Sequence, residues 1–406
     1  MKFLKVDLIN DALDKLVNVS KFIKTESIKT ENSYGKIVAN DIISYENVPY
    51  FRRSTVDGYG VICKDTFAAS ETIPTFLKNK GYVDIGTLTD IIINEGECIE
   101  IPTGGMVPRN CDAVVMLEYT EILGNEISIN KSVSHGENLL NIGDDIKTGQ
   151  IIIEKGTKLN SYNIGALVSI GIMQVEVFKQ PTATIFSTGT EIVSPNEKPQ
   201  YGKIRDVNTY VLSNLATEQG YNVIYKEVLK DDDTLIEEKI REATKNSDIV
   251  LLSGGSSQGK KDNTAQIINK IASPGIFTQG LSLKPGKPTI LAHDEVSQTI
   301  IVGLPGQPMS ATVVFLLMFG NLLKRITHQL NDYPIIATLS TNISSDEGKL
   351  TFYLCTLSLS ENNYIATPIL TRSAHISTFS KACGYFLIDE KAEGLNKGQT
   401  VEVYKF

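Results

Sequence analysis

The sequence predicts a multi-domain protein in which an α/β region, built on a mostly parallel sheet, is flanked by two β-rich regions. Three observations carry this prediction. The chain has 406 residues, more than one ordinary hydrophobic core organises, so two to four domains are expected. Between Thr182 and Ile326, strand-like and helix-like runs alternate regularly, which marks βαβ units and a parallel sheet. On either side, short apolar runs are broken by Gly, Pro and Asn, and helix signals are few, as in β structure.

In chain order, Leu8, Ala12, Leu16 and Val19 recur at helical spacing and give a short amphipathic helix. From Lys36 to about Asn130 the runs are short and strand-like, 91–93 and 113–117 among them. A capped helix begins near Ser161 and covers 163–172; a strand follows, and Lys179-Gln180-Pro181 marks a boundary. The alternating region then reads as strand TATIFST, helix 210–219, strand YNVIYKEVL, helix 235–245, strand DIVLLS and helix 264–271. Strand TIIVGLP and a long apolar helix complete it. That helix, 311–323, is too short and too helical in pattern to span a bilayer, and is expected to be buried in a core. The tail, 335–406, holds alternating runs such as KLTFYLCTLSLS and predicts a small β-barrel or sandwich.

Composition excludes several classes of function. Hydrophobic residues at 41% and charged residues at 21% are those of a soluble globular chain. A net charge of -8 and a pI near 5.3 argue against a nucleic-acid or anionic-membrane binder. An anionic small molecule stays compatible where lysines are concentrated locally. The five cysteines are far apart and form no CxxC pair, so neither a disulfide framework nor a structural zinc site is indicated. The four histidines are equally scattered, and none is assigned to a metal. The N-terminus meets Asp7 before any apolar run long enough for a signal peptide, and a cytoplasmic protein is expected.

In parallel α/β sheets, ligands bind outside the carboxyl ends of the strands, and the unusual residues of this region collect there. Ser187-Thr188-Gly189-Thr190-Glu191 follows the first strand, with Asp206 and Asn208 further on in GKIRDVN. Asp231, Asp232 and Asp233 follow the second strand, and the Gly-rich run from Gly254 to Asp262 follows DIVLLS. KPGKP (284–288) and GLPGQP (303–308) complete the set. Each alone reads as a turn; together on one sheet edge they read as a site.

Gly254, Gly259 and Lys260 match GxxxxGK, but Lys261 stands where Ser or Thr must hold Mg²⁺, so the NTPase reading fails at its metal ligand. What survives is a loop whose backbone N–H groups approach phosphate closely, because Gly has no Cβ. Asp262 beside it is a candidate cation ligand. KPGKP sets the ammonium groups of Lys284 and Lys287 three residues apart on a Pro-stiffened turn. That suits a small tetrahedral oxyanion or a phosphate. The bland alternatives are a tight turn and two solvated lysines. In the first β-rich region, Asp57 in STVDGY and Thr103 in PTGG interrupt apolar runs without specifying a reaction.

In this order, VPYFRRSTVDGYGVI, IPTGGMVPRNCDAVVMLEY, ENLLNIGDDI, IFSTGTEIV, GKIRDVNTY, LLSGGSSQGKKDNT, LKPGKP, GLPGQPMSA and SAHISTF resemble the molybdopterin molybdenumtransferases, the family that includes the E domain of gephyrin. The matches span almost the whole chain and are jointly specific. The resemblance implies an elongated N-terminal and linker domain over 1–44 and 140–178, with an inserted β-rich domain over 45–139. An α/β molybdopterin-binding domain over 179–328 and a C-terminal β-barrel over 329–406 complete the implied division.

The implied reaction inserts molybdate into adenylylated molybdopterin, with Mg²⁺ present and AMP released. A homodimer is implied, with Asp57 and Thr103 of one subunit completing a catalytic site on the other. Gly254, Gly255, Ser256 and Gly259, with Asp206, Asn208, Pro305 and Pro308, are the implied substrate-binding residues. Lys284, Lys287, Pro288, Ser310 and Ser377 are implied for molybdate. Glu191, Asp231 and Asp262 are the implied acidic catalytic residues, Glu191 and Asp262 also as Mg²⁺ ligands. The molybdopterin adenylyltransferase and acceptor molybdoenzymes are the implied protein partners; neither nucleic acid nor membrane is. Four positions depart from the family pattern: Arg52 and Thr190 replace Asp, Gln307 replaces Asn, and Leu354 replaces an Arg near the molybdate. Two alternatives therefore stay open, a non-catalytic molybdopterin-binding paralogue and tungstate insertion by the same chemistry.

Overall fold

The computed structural model describes residues 6–254, 261–329, 333–360, 362–370 and 376–406, without the side chains of Lys261, Asp262 and Ile376. Contacts group the chain into two compact units, one of residues 1–26, 156–158 and 176–406, the other of 27–155 and 159–175.

The larger unit begins with helix α1 (Ile9–Val19), whose Ala12, Leu13 and Leu16 are buried at helical spacing. The alternating region follows as β1 (Thr182–Thr188), α2 (Asn208–Glu218), β2 (Asn222–Leu229), α3 (Asp233–Ala243), β3 (Ile249–Gly254) and α4 (Lys261–Ile271). Then come β4 (Pro274–Gln279), β5 (Ile290–Asp294) and β6 (Thr299–Leu304). The six strands order as β2-β1-β3-β6-β5-β4. β2, β1, β3 and β6 are parallel; β5 and β4 join antiparallel at one edge.

Strand alternation sorts the core to two faces. Ile185, Leu251 and Val302 face a cluster with α1 and α2, while Phe186, Leu252 and Ile301 face α3 and α4. A sheet covered on both faces explains why β3 and β6 carry continuous apolar runs, IVLL and IIV. The expected apolar helix runs longer than its periodicity predicts: α5 covers Pro308–Ile326, with a wider π turn at Phe315–Gly320. By length and composition its 19 residues are enough to cross a bilayer, which corrects the expectation from sequence. Most of it is nonetheless buried in the protein core, and the Tyr221 hydroxyl donates to the Phe319 carbonyl at 2.8 Å within the π turn.

The C-terminal part of this unit is a closed five-stranded barrel of β7 (Ile335–Leu339), β8 (Leu350–Ser360), β9 (Asn363–Pro368), β10 (Gly384–Ile388) and β11 (Thr400–Lys405). The order is β8-β9-β7-β11-β10, with β10 closing back on β8. Leu283–Lys284 adds to β8 as a short parallel strand.

In the smaller unit a six-stranded sheet runs Ala113–Met116, Gly58–Val61, Glu97–Ile101, Thr75–Tyr82, Glu126–Ile129 and Thr120–Leu123. The run 91–93 does not form the strand its composition suggests. Ile93 is fully buried as a core anchor, and Ile92 makes a single isolated bridge to Arg109. Helix Ser161–Ser169 starts at an Asn160 capping box, in which the Asn160 side chain accepts from the Tyr162 and Asn163 N–H groups.

Candidate active site

The parallel ladder sets Ser187 beside Ser253, Thr188 beside Gly254, and Ser253 beside Leu304. These residues end β1, β3 and β6, so the loops that follow start side by side. Asn208, the first residue of α2, ties the ends together. Its Nδ2 donates to Ser253 Oγ at 2.6 Å and to the Gly306 carbonyl at 2.8 Å. Ser253 Oγ in turn donates to the Pro305 carbonyl at 3.3 Å. Asn208 Oδ1 is buried with no hydrogen-bond partner among the described residues, which leaves a strong acceptor unused by them at the junction of three loops.

Asp206 is 5% exposed and accepts from the Thr209 N–H at 3.3 Å and from the Thr209 hydroxyl. Burial pushes its carboxyl above the usual range, against the opposing pull of the Thr209 hydrogen bond and of Lys226. Its carboxylate thus organises the first turn of α2, which carries Asn208. Gly254 opens the Gly-rich loop at φ +122°, and a Cβ there would lie 2.1 Å from the Thr188 carbonyl oxygen, so no other residue fits. Gly255, Ser256 and Gly259 lie outside the described residues, as does the side chain of Asp262.

Glu191 is exposed after β1, with its carboxylate lying over Gly189, where a Cβ would come within 2.8 Å of it. Thr190, its neighbour, offers its carbonyl to Lys203 Nζ at 2.6 Å. Asp231 is half-buried just past β2, whose Leu229 pairs with Thr188. Asp232 caps α3, accepting from the Leu235 N–H at 2.9 Å. Among the described residues no three His, Cys, Asp or Glu side chains gather into a metal-holding group.

The KPGKP loop reaches the same edge, because Ile290 at the start of β5 pairs with Gly303 near the end of β6. Gly286 packs so closely on α5 that a Cβ would lie 2.7 Å from both Leu283 and Val314 side chains. Pro308 opens α5 and Ser310 is buried within it. Lys287 is exposed beside Pro288, and its carbonyl accepts from the Leu281 and Thr289 N–H groups at 3.0 and 2.9 Å. Lys284 carries a partner that sequence reasoning missed. Its Nζ donates to Asp346 Oδ1 at 2.8 Å, and Lys349 Nζ donates to Asp346 Oδ2 at 2.8 Å. The Lys284 ammonium, with Lys349, holds the Asp346 carboxyl down at about 2. Only the barrel's closure beside this loop brings residues 62 positions apart into contact; local spacing carries no signal of it.

Ser377 is exposed in the turn Ile376–Lys381, which packs on β8. Leu354 is fully buried in the core with Ile185 and Phe352. In the smaller unit, Asp57 Oδ1 accepts from the Thr103 N–H at 2.7 Å, so these two expected site residues do meet. The strand after Asp57 requires glycine: a Cβ at Gly58 would lie 2.0 Å from the Val115 carbonyl oxygen.

Residues 8–171 match the family described as “MoeA N-terminal region (domain I and II)”, 184–325 match “Probable molybdopterin binding domain”, and 337–406 match “MoeA C-terminal region (domain IV)”. A molybdopterin biosynthesis protein of Methanocaldococcus jannaschii is 30% identical over 390 residues, which are 94% of this chain and 92% of that one. The molybdopterin molybdenumtransferase of Staphylococcus aureus is 28% identical over 399 residues, 97% of this chain and 94% of its own. The crystal structure of the molybdopterin biosynthesis MoeA protein of Pyrococcus horikoshii has a TM-score of 0.82 at 34% identity, over 99% of each chain.

Proposed function

Because the chain belongs to the MoeA family of molybdopterin biosynthesis proteins, we propose that it is a molybdopterin molybdenumtransferase, inserting molybdate into adenylylated molybdopterin with release of AMP. The observation that carries this assignment is the meeting of the loops after β1, β3 and β6 at one sheet edge, tied by Asn208. That edge lies in the segment that matches the molybdopterin-binding domain, and the KPGKP loop returns to it.

Both reactants are anionic, so the work of the chain is to hold two negative charges together in a fixed orientation. The Gly-rich loop opened by Gly254 receives the phosphate end. The unpartnered Asn208 Oδ1 accepts an N–H of the pterin. Lys284 and Lys287, with Pro288, Ser310 and Ser377, take the oxyanion. Mg²⁺ belongs to the same proposal. It commonly binds one or two carboxylates and completes its shell with phosphate oxygens and water. Glu191 and Asp262 would hold the ion, which neutralises charge on the phosphate when bound.

Asp57 and Thr103 are supplied by the second subunit of a homodimer. A cytoplasmic setting accords with five unpaired cysteines, four of them buried.

The test supplies purified protein with adenylylated molybdopterin, Mg²⁺ and either molybdate or tungstate, and follows AMP. Release that depends on the oxyanion is expected, and the two dose responses decide which metal is preferred. Release indifferent to oxyanion sinks the assignment. Tight pterin binding without release would make the chain a non-catalytic paralogue, the reading that the buried Leu354 favours.

A further inference from the structure

Asp346 is bridged by two ammonium groups, Lys284 on one carboxylate oxygen and Lys349 on the other, each at 2.8 Å. The backbone around this bridge is built rather than loose. Leu283 and Lys284 pair in parallel with Leu350 and Thr351, and the Leu350 N–H donates to the Ser282 carbonyl at 3.0 Å. The Asp346 segment is pinned on both sides, with the Ser345 N–H on the Glu393 carbonyl and the Gly348 N–H on the Glu390 carbonyl, both at 2.7 Å. Ser345 Oγ and Thr351 Oγ1 share a hydrogen bond of 2.6 Å, and the Ser282 hydroxyl donates to the Gly348 carbonyl.

A carboxylate spanning two lysines presents what a tetrahedral oxyanion presents: two oxygens of one anion. We propose that Lys349 is a third ammonium of the oxyanion site, beside Lys284 and Lys287, and that Asp346 is a resident counter-anion which the incoming oxyanion displaces. The identity of that oxyanion rests on the transferase assignment above. Side-chain exposures of 51%, 42% and 37% for Lys284, Asp346 and Lys349 leave room for an anion to enter and for the aspartate to swing into water.

The bridge acts as a charge filter. A monoanion offers the lysines no more charge than Asp346, which has the advantage of being tethered. A dianion doubles the Coulomb attraction and wins. Because the Asp346 carboxyl is held at about 2, the competitor stays ionised throughout the physiological range. Lys349 also supplies positive charge near an oxyanion site whose implied arginine is replaced by the buried Leu354.

Calorimetric titration of the full chain with sodium molybdate, with and without added chloride, tests this. Asp346→Asn is expected to bind molybdate roughly 3- to 30-fold more tightly, since two exposed ion pairs no longer compete, and to become more sensitive to chloride. Lys349→Ala is expected to weaken binding by a similar factor, and Lys349→Arg to recover most of it. Unchanged or weaker binding by Asp346→Asn overturns the counter-anion role. Wild-type affinity in Lys349→Ala removes that lysine from the site. Either result, in a protein that still binds molybdate and releases AMP, leaves the transferase assignment standing. A wild type that does neither overturns that assignment, and this inference with it.

Discussion

Leu354 shows how one residue separates a family pattern from this chain. The resemblance implies an arginine near the oxyanion, but here the position is fully buried, in the core cluster that also holds Ile185, Leu251 and Phe352. An arginine at this place would put a guanidinium in the core with no counter-charge, and an uncompensated buried charge typically costs about 3–5 kcal/mol. Leu354→Arg is therefore expected to lose about that much stability, read as a lower urea midpoint. Wild-type stability in this variant would mean that the side chain reaches solvent and that the packing is wrong. Lys284 carries the converse lesson. Its residue type was enough to nominate it for an anion, but Asp346 on it was invisible because 62 residues separate the two.

At the scale of elements, periodicity and capping chemistry were reliable where local forces dominate. The helix Ser161–Ser169 starts where Asn160 and Asn163 satisfy each other's backbone N–H groups. Asn160→Ala is expected to cost about 1 kcal/mol, which for a unit of this size lowers the melting temperature by roughly 2–4 °C. An unchanged melting curve would show that the cap is dispensable. Local reasoning failed on 91–93, where three β-branched residues suggested a strand. Ile93 is held by burial and Ile92 by one bridge, so tertiary packing overrode strand propensity. It also stopped short on α5, whose π turn accommodates the Tyr221 hydroxyl on the Phe319 carbonyl.

For the whole molecule, the proposal that a second subunit supplies Asp57 and Thr103, bonded to each other in the smaller unit, is open to a direct test. Sharing the site across a two-fold axis makes a quantitative prediction. Asp57→Ala and Lys284→Ala homodimers are expected to be inactive, while a random mixture recovers about a quarter of wild-type activity. Half of its dimers are then mixed, each with one intact site of two. A mixture as inactive as its parents would place the whole site within one subunit.

Composition, alternation and residue chemistry were enough to establish the α/β region, the β-rich flanks, and the polar loops on one sheet edge. These follow from hydrophobic periodicity and from the Gly, Pro, Lys and carboxylate chemistry of turns, all of which act over a few residues. Tertiary structure decided the rest. It assigned Asp206 to the first turn of α2, left Asn208 Oδ1 without a donor among the described residues, and brought Asp346 and Lys349 to Lys284. Such pairings join residues whose nearness depends on how strands register and barrels close, and no local pattern encodes that.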